Sequence, residues 1–240
     1  MKPDFEIKKV KCYNVDCMEF MKDVPDNYYE LAIVDPPYGI EITKSGRLKR
    51  YNGNNANWDN NVPDKEYFIE LMRISKHQII WGGNYFLDYL GNTKCFLIWD
   101  KRQPDGLSFA SAEFAWTNFN TVAKTFRKFP VGIDGGNRIH TTQKPVILYK
   151  WILDKYAKCK RCGGLGYVDV PTLKLDCDVS TCPVCKGKKA KIIDTHGGSM
   201  SLGCACMDMD FDIDIMEIDK EYFDNAVNRL KNNVQEYLEF

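Results

Sequence analysis

The 240-residue chain contains no stretch of about 18 consecutive apolar residues, so it carries no candidate transmembrane helix. Its first residues, Met1 to Lys9, lack the apolar stretch of a secretory signal, and the expected location is the cytoplasm. Net charge is absent as well. With 33 Lys and Arg against 33 Asp and Glu, no global field draws the chain to a polyanion. Any contact with nucleic acid must then come from local clusters: Lys44, Arg47, Lys49 and Arg50; Lys124, Arg127, Lys128 and Arg138; Lys186, Lys188, Lys189 and Lys191. Each of these also fits an ordinary solvated surface. Histidine is scarce, and His77, His140 and His196 read as loop or strand-end residues. Cysteine, by contrast, is plentiful. Ten cysteines in a cytoplasmic chain, half of them between Cys159 and Cys185, point to a metal rather than to disulfides.

What is present begins with Leu31-Ala-Ile-Val-Asp35-Pro36-Pro37-Tyr38-Gly39. Four apolar residues read as a strand buried on both faces, as in a parallel sheet. Two prolines end it, because neither donates to a ladder and each restrains the residue before it. Asp35 is thereby expected at the carboxyl end of a central strand, where open α/β sheets place their ligands. Tyr38 follows on a stiff turn that could aim its ring over a flat substrate.

Around this stretch the chain alternates between strand and helix patterns. A strand is expected over 7–13, and Asp16 with Glu19 suggests a capped helix through Met21. Residues 40–61, rich in Lys, Arg, Asn and Gly, form a long loop in which Tyr51 and Trp58 could touch a substrate. Helical period covers 63–76 and a short helix 84–90. Strand patterns cover 77–83, 94–99, 112–117 and 121–127, and a helix runs from Pro145 to about Ala157. After a cysteine-rich stretch the rhythm resumes with a strand at 191–193 and a helix to about Met209. A strand at 213–218 and a final helix capped by Asp219 follow. The reading is a Rossmann-like α/β fold. Its sheet is mostly parallel and seven-stranded, with helices on both faces, formed by residues 1–157 and 190–240. Residues 158–189 form a small inserted zinc ribbon.

A second pole lies in Asp194-Thr-His196-Gly-Gly198-Ser199, a strand-to-helix loop with small residues where backbone can approach a ligand. A later strand ends in Glu217, placed as a carboxylate for ribose hydroxyls. No lysine follows the loop in Walker spacing.

In order, Asp35-Pro36-Pro37-Tyr38, Gln143-Lys144-Pro145, the glycine loop and Glu217-Ile-Asp219 resemble the amino-group DNA methyltransferases that use S-adenosylmethionine. The catalytic motif precedes the cofactor loop, as in their permuted β group, which includes many bacterial and phage enzymes. Trp81-Gly-Gly-Asn84 and Phe96-Leu-Ile-Trp99-Asp-Lys101 are similar to the family's intermediate blocks. The resemblance implies that Asp16, the Cys17 amide, Asp35, Thr142, Lys144, Asp194, Gly198, Ser199 and Glu217 line the cofactor site. Thr142 and Lys144 would close over its methionine end. It implies that Asp35, Pro36, Pro37 and Tyr38 act on a flipped base. Two positions depart from the family pattern: Met200 stands where a second glycine is common, and Thr141 where a proline is.

An exocyclic amine is a poor nucleophile because its lone pair is conjugated with the ring. Acceptors on its hydrogens, here the Asp35 carboxylate and the Pro36 carbonyl, let the nitrogen turn tetrahedral as charge develops. Tyr38 can stack on the base for about 1–3 kcal/mol, which offsets much of the cost of extrusion. A C5-cytosine enzyme would need a cysteine after proline, and no Pro-Cys pair occurs. The expected reaction is direct methyl transfer to adenine N6 in double-stranded DNA, with homodimerisation possible in such a family. N4-cytosine or RNA adenine methylation, or a silent zinc-containing nucleic-acid-binding module, are the alternatives.

Cys159-Lys-Arg-Cys162 and Cys182-Pro-Val-Cys185, 19 residues apart, have the spacing of a four-thiolate zinc site. The run Cys162 to Gly166 also looks like the knuckles of the Hsp40 cysteine-rich domain. Cys177 reads as a spare thiol. The basic residues around the knuckles could grip phosphates, and a stability graft or a dimer contact would serve equally.

Overall fold

A computed structural model describes residues 1–41, 58–104, 110–130, 138–140, 142–163, 167–170 and 178–235. Most of the long 40–61 loop with Tyr51 and the Lys44–Arg50 cluster, the loop 132–137, Thr141 and Cys177 lie outside the described residues. The described elements are strands β1 (Phe5–Ile7) and β2 (Val10–Tyr13), helix α1 (Cys17–Met21), β3 (Tyr29–Val34), α2 (Lys65–Ile74) and β4 (Ser75–Trp81). Next come β5 (Leu97–Asp100), β6 (Ala112–Thr117), β7 (Lys124–Arg127), α3 (Val146–Ile152), β8 (Tyr167–Val170) and β9 (Asp178–Thr181). The chain closes with β10 (Lys191–Asp194), α4 (Ser201–Met209), β11 (Asp212–Met216) and α5 (Lys220–Gln235).

Nine of these strands form one mixed sheet in the order β1-β2-β11-β10-β3-β4-β6-β5-β7. This corrects the expected count of seven strands, while most pairings in the sheet, as expected, are parallel. Its centre, β2-β11-β10-β3-β4, is parallel throughout. The additions come at the two sides. Lys8, at φ 52°, turns the expected first strand into an antiparallel hairpin, β1–β2. On the far side β6 enters antiparallel between β4 and β5, and β7 pairs parallel with β5. Among the described residues, strands β8 and β9 pair only with each other, as a separate antiparallel two-stranded sheet.

The apolar run of β3 is continuous because both faces of the sheet are covered. Leu31 and Ile33 pack into one core with Leu148 of α3, Leu202 of α4 and Leu230 of α5. Ala32 and Val34 point the other way, to Met21 of α1 and Leu71 of α2. Burying each such large side chain contributes about 1.5–3 kcal/mol. Local signals place the helices. Asp16 accepts from the Met18 amide at 2.7 Å, and Asp219 accepts from the amides of Glu221 and Tyr222 at 2.9 and 3.0 Å. Two expected helices differ. The 84–90 segment is a 3-10 turn, Gly83–Tyr85, followed by further tight turns. The helix after Pro145 finishes as a π-turn, Leu153–Ala157, which delivers the chain to Cys159.

Candidate active site

Strands β3, β10 and β11 are neighbours and run parallel, so their carboxyl ends meet on one edge of the sheet. Asp35 follows β3, Asp194 ends β10 and Glu217 follows β11. The two sequence poles, 159 residues apart, therefore share one crevice floor.

The Asp35-Pro-Pro-Tyr turn is fixed from outside. The buried Asp59 carboxylate accepts from the amides of Tyr38 and Gly39, at 2.7 and 3.0 Å. The Tyr38 ring lies against Gly82, where a Cβ would come within 2.1 Å of the ring. Gly82 is also left-handed at φ 68°, so only glycine suits it. Tyr85 stacks on Tyr38, with centroids 5.1 Å apart and planes at 16°.

Both Asp35 oxygens are engaged. Tyr38 donates its hydroxyl to Oδ1 at 2.5 Å, and Lys144 Nζ donates to Oδ2 at 2.5 Å. Lys144 also approaches the Tyr38 hydroxyl at 3.2 Å and lies over the Trp81 ring at 5.2 Å. It pairs as well with Glu113 on β6 at 3.2 Å, and Glu113 pairs with Lys101 at 2.6 Å. The result is a charge-balanced chain, Asp35–Lys144–Glu113–Lys101, with the Lys144 side chain only 2% exposed. Burial pushes Asp35 above the usual carboxylate range against the pull of Lys144. Burial also opposes the Lys144 charge, but its two carboxylates outweigh it and raise its pKa. Glu113 is held below its usual value because Lys144 and Lys101 outweigh its burial.

Lys144 thus sits at the acidic turn, and Thr142 stays beside His140, its amide 3.3 Å from His140 Nδ1. Pro36 is buried beneath the turn and Pro37 is half-buried. At the first turn of α1, Asp16 is committed to capping, and Cys17 is half-buried.

Across the crevice Glu217 accepts from the amides of Gly198 and Asp219, at 2.8 and 2.9 Å. Asp194 accepts from the His196 amide at 3.1 Å. Ser199 is buried, with its hydroxyl 3.1 Å from that of Ser201. Burial pushes Asp194 up to about 8 and Glu217 up to about 7, since neither has a cation against it in a described ion pair. Burial also lowers His140 and His196 to about 4, leaving both neutral near pH 7. Met200, the departure from the glycine pattern, takes a left-handed φ of 52° and is fully buried. Its sulfur accepts from the Cys12 thiol at 3.6 Å. The strain of that backbone, about 1–2 kcal/mol, is offset by side-chain burial.

The raised Asp194 sets a pH dependence. Its folded pKa of about 8 exceeds the unfolded value of about 3.9, so the folded state binds the extra proton between them. Stability is expected to fall as pH rises through that window. Asp194→Asn should flatten much of the slope in thermal melts taken from pH 5 to pH 8. An unchanged slope would show that the Asp194 carboxyl is not buried as described.

Sequence reasoning missed Asp59, Tyr85 and Glu113. The signal for Glu113 was available: it is a lone charge in the otherwise apolar and aromatic strand Ala112–Thr117.

At the far end of the chain's π-turn, the sulfurs of Cys159, Cys162, Cys182 and Cys185 all lie within 4.8 Å of one another. Cys159 Sγ is 3.8 Å from Cys182 Sγ, and Cys162 Sγ is 3.7 Å from Cys185 Sγ. These are too long for disulfides. Four thiolates at about 2.3 Å from a tetrahedral ion stand about 3.8 Å apart, so the group could hold a metal ion.

No protein-family model matches the chain, and no curated protein matches it. Solved structures do. M1.HpyAVI in complex with SAM matches with a TM-score of 0.54 at 19% identity, over 92% of this chain and 98% of that one. TTHA0409 from Thermus thermophilus, complexed with S-adenosyl-L-methionine, gives 0.53 at 10% identity, over 95% of each chain. The PvuII DNA methyltransferase (cytosine-N4-specific) gives 0.57 at 11% identity, over 99% and 95%. At these identities the likeness is one of architecture, and the chain has the fold of a DNA methyltransferase.

Proposed function

We propose that the chain transfers a methyl group from S-adenosylmethionine to the N6 amino group of adenine in double-stranded DNA. The observation that carries this reading is the shared edge of β3, β10 and β11. There an Asp-Pro-Pro-Tyr turn stands beside two buried carboxylates without cationic partners in the described ion pairs. The fold supports it, since the PvuII enzyme methylates DNA and M1.HpyAVI is solved with SAM.

Asp194 and Glu217 fit the cofactor chemically. Carboxylates raised by burial regain their charge when a cation or hydroxyl donors replace lost water. Asp194, Gly198 and Ser199 would hold its methionine and ribose part, and Glu217 the ribose hydroxyls. Asp16 and the Cys17 amide would meet the adenine, and Thr142 and Lys144 would close the site. When bound, the cofactor supplies a methyl group on a sulfonium.

The chain's own residues handle the amine. Oδ1 of Asp35 and the Pro36 carbonyl accept its two hydrogens, so the Tyr38 hydroxyl must first leave Oδ1. Lys144 stays on Oδ2 and sets a donor beside an acceptor. That pair matches an amine beside an unprotonated ring nitrogen, as at N6 and N1 of adenine or N4 and N3 of cytosine, whereas thymine has no exocyclic amine. Tyr38 stacks on the base, and Pro37 stiffens the turn. After alkylation the nitrogen bears a surplus proton, for which Asp35 is the nearest base. Cytosine N4 is the second reading, favoured by the likeness to the PvuII enzyme.

Duplex DNA incubated with methyl-labelled cofactor and digested to nucleosides should carry label in N6-methyladenine. Label in N4-methylcytosine would replace the adenine reading with the second one, and label found only in an RNA substrate would change the polymer.

We also propose that residues 158–189 are an insertion folded around one zinc ion held by Cys159, Cys162, Cys182 and Cys185.

A further inference from the structure

The six cations that flank the four cysteines are not equivalent. Lys158 pairs with Asp154 at 2.7 Å, and Lys189 with Asp210 at 2.5 Å, so these two anchor the segment to the rest of the chain. Lys160, Arg161, Lys186 and Lys188 are exposed, and no ion pair joins them to a carboxylate among the described residues. They come from two stretches more than twenty residues apart, brought together by the cysteines. Lys160 follows Cys159, whose sulfur is 3.8 Å from that of Cys182. Arg161 precedes Cys162 and Lys186 follows Cys185, and those two sulfurs are 3.7 Å apart. Tight turns hold Lys186 and Lys188 in place, their amides donating to the carbonyls of Cys182 and Cys185 at 2.8 and 2.9 Å. In a chain of zero net charge, residues 158–189 hold seven Lys and Arg against three Asp.

We propose that the four-cysteine group is the frame of a phosphate-binding platform, in which Lys160, Arg161, Lys186 and Lys188 grip the backbone of the DNA substrate. This rests on the DNA reading above. A zinc ion with four thiolates carries two negative charges, so part of the basic charge balances the cluster. The four cations, without an ion-pair partner among the described residues, exceed that need by two. Exposed cations carried on one small four-cysteine frame lower their repulsion by binding a polyanion, and each phosphate neutralised releases counterions. Such contacts position a duplex without reading its sequence.

The test is binding of a fluorescent DNA duplex to the zinc-loaded full chain across a salt series. The parent is compared with a variant carrying Lys160→Gln, Arg161→Gln, Lys186→Gln and Lys188→Gln. A slope of log affinity against log salt shallower by about 2 or more is expected, at about 0.9 per lost phosphate contact, with zinc content unchanged. Lys186→Gln with Lys188→Gln, outside the two Cys-x-x-Cys loops, should give part of the effect. A parental slope in both variants overturns the platform, and so does loss of zinc with no change of slope in the double variant, which would assign the cations to the cluster alone. Either result leaves the transferase reading standing if the parent still methylates DNA. A parent that binds no duplex overturns both.

Discussion

Asp35→Asn is expected to lower methyl transfer by about 10²–10³ or more while leaving cofactor binding within a few-fold of the parent. The amide keeps the shape of the carboxylate and can still accept at one oxygen. It removes the negative charge that faces the nitrogen as positive charge develops, and it sets an NH₂ group against either the Lys144 ammonium or the incoming amine. Cofactor affinity should persist because Asp194 and Glu217, on neighbouring strands, keep their own partners. Calorimetry for binding and labelled transfer under single-turnover conditions separate the two effects. Near-normal turnover in this variant would remove Asp35 from the chemistry. Lost cofactor binding with it would place Asp35 at the cofactor instead of the base.

The second large effect is expected from the metal. Purified protein should contain one zinc per chain by elemental analysis. Cys159→Ser together with Cys185→Ser should abolish it, because two ligands cannot hold the ion that four thiolates bind. Structural zinc sites contribute on the order of 10–16 kcal/mol of binding free energy, and a segment with so little apolar material has no other source of order. The nine-stranded sheet draws its stability from separate cores on its two faces. Its main thermal transition should therefore survive in the double variant, while protease sensitivity rises within 158–189. Zinc well below one equivalent in carefully prepared protein would reject the assignment. So would collapse of the main transition in the double variant, which would show that the cysteine segment is part of the core.

Much of the sheet was legible because burial on two faces leaves a simple mark. The runs within β3, β4 and β10 are apolar at consecutive positions, whereas β11 alternates as Asp212-Ile-Asp214-Ile-Met216, and the short loops between elements carry recognisable caps at Asp16 and Asp219. The far side of the sheet was less legible. Nothing in the composition of Ala112–Thr117 says that it runs antiparallel between β4 and β5, since strand direction follows from which neighbours it meets. The Lys8 turn likewise depends on a left-handed residue that is not glycine.

The site divides in the same way. Residue types and their order are readable locally: a carboxylate after a buried strand, an aromatic on a proline-stiffened turn, a glycine loop, a later acid and four paired thiols. Those features rest on local chemistry and spacing. Their partners were set by the packed sheet. It put Asp35, Asp194 and Glu217 on one edge, because β10 lies between β3 and β11. It brought Lys144 across 109 residues onto Asp35 and added Glu113 and Lys101 behind it. Asp59 was set beneath the Tyr38 amide in the same way. Long-range pairing of buried charges depends on which side chains the packed sheet leaves facing one another, and no local pattern encodes that.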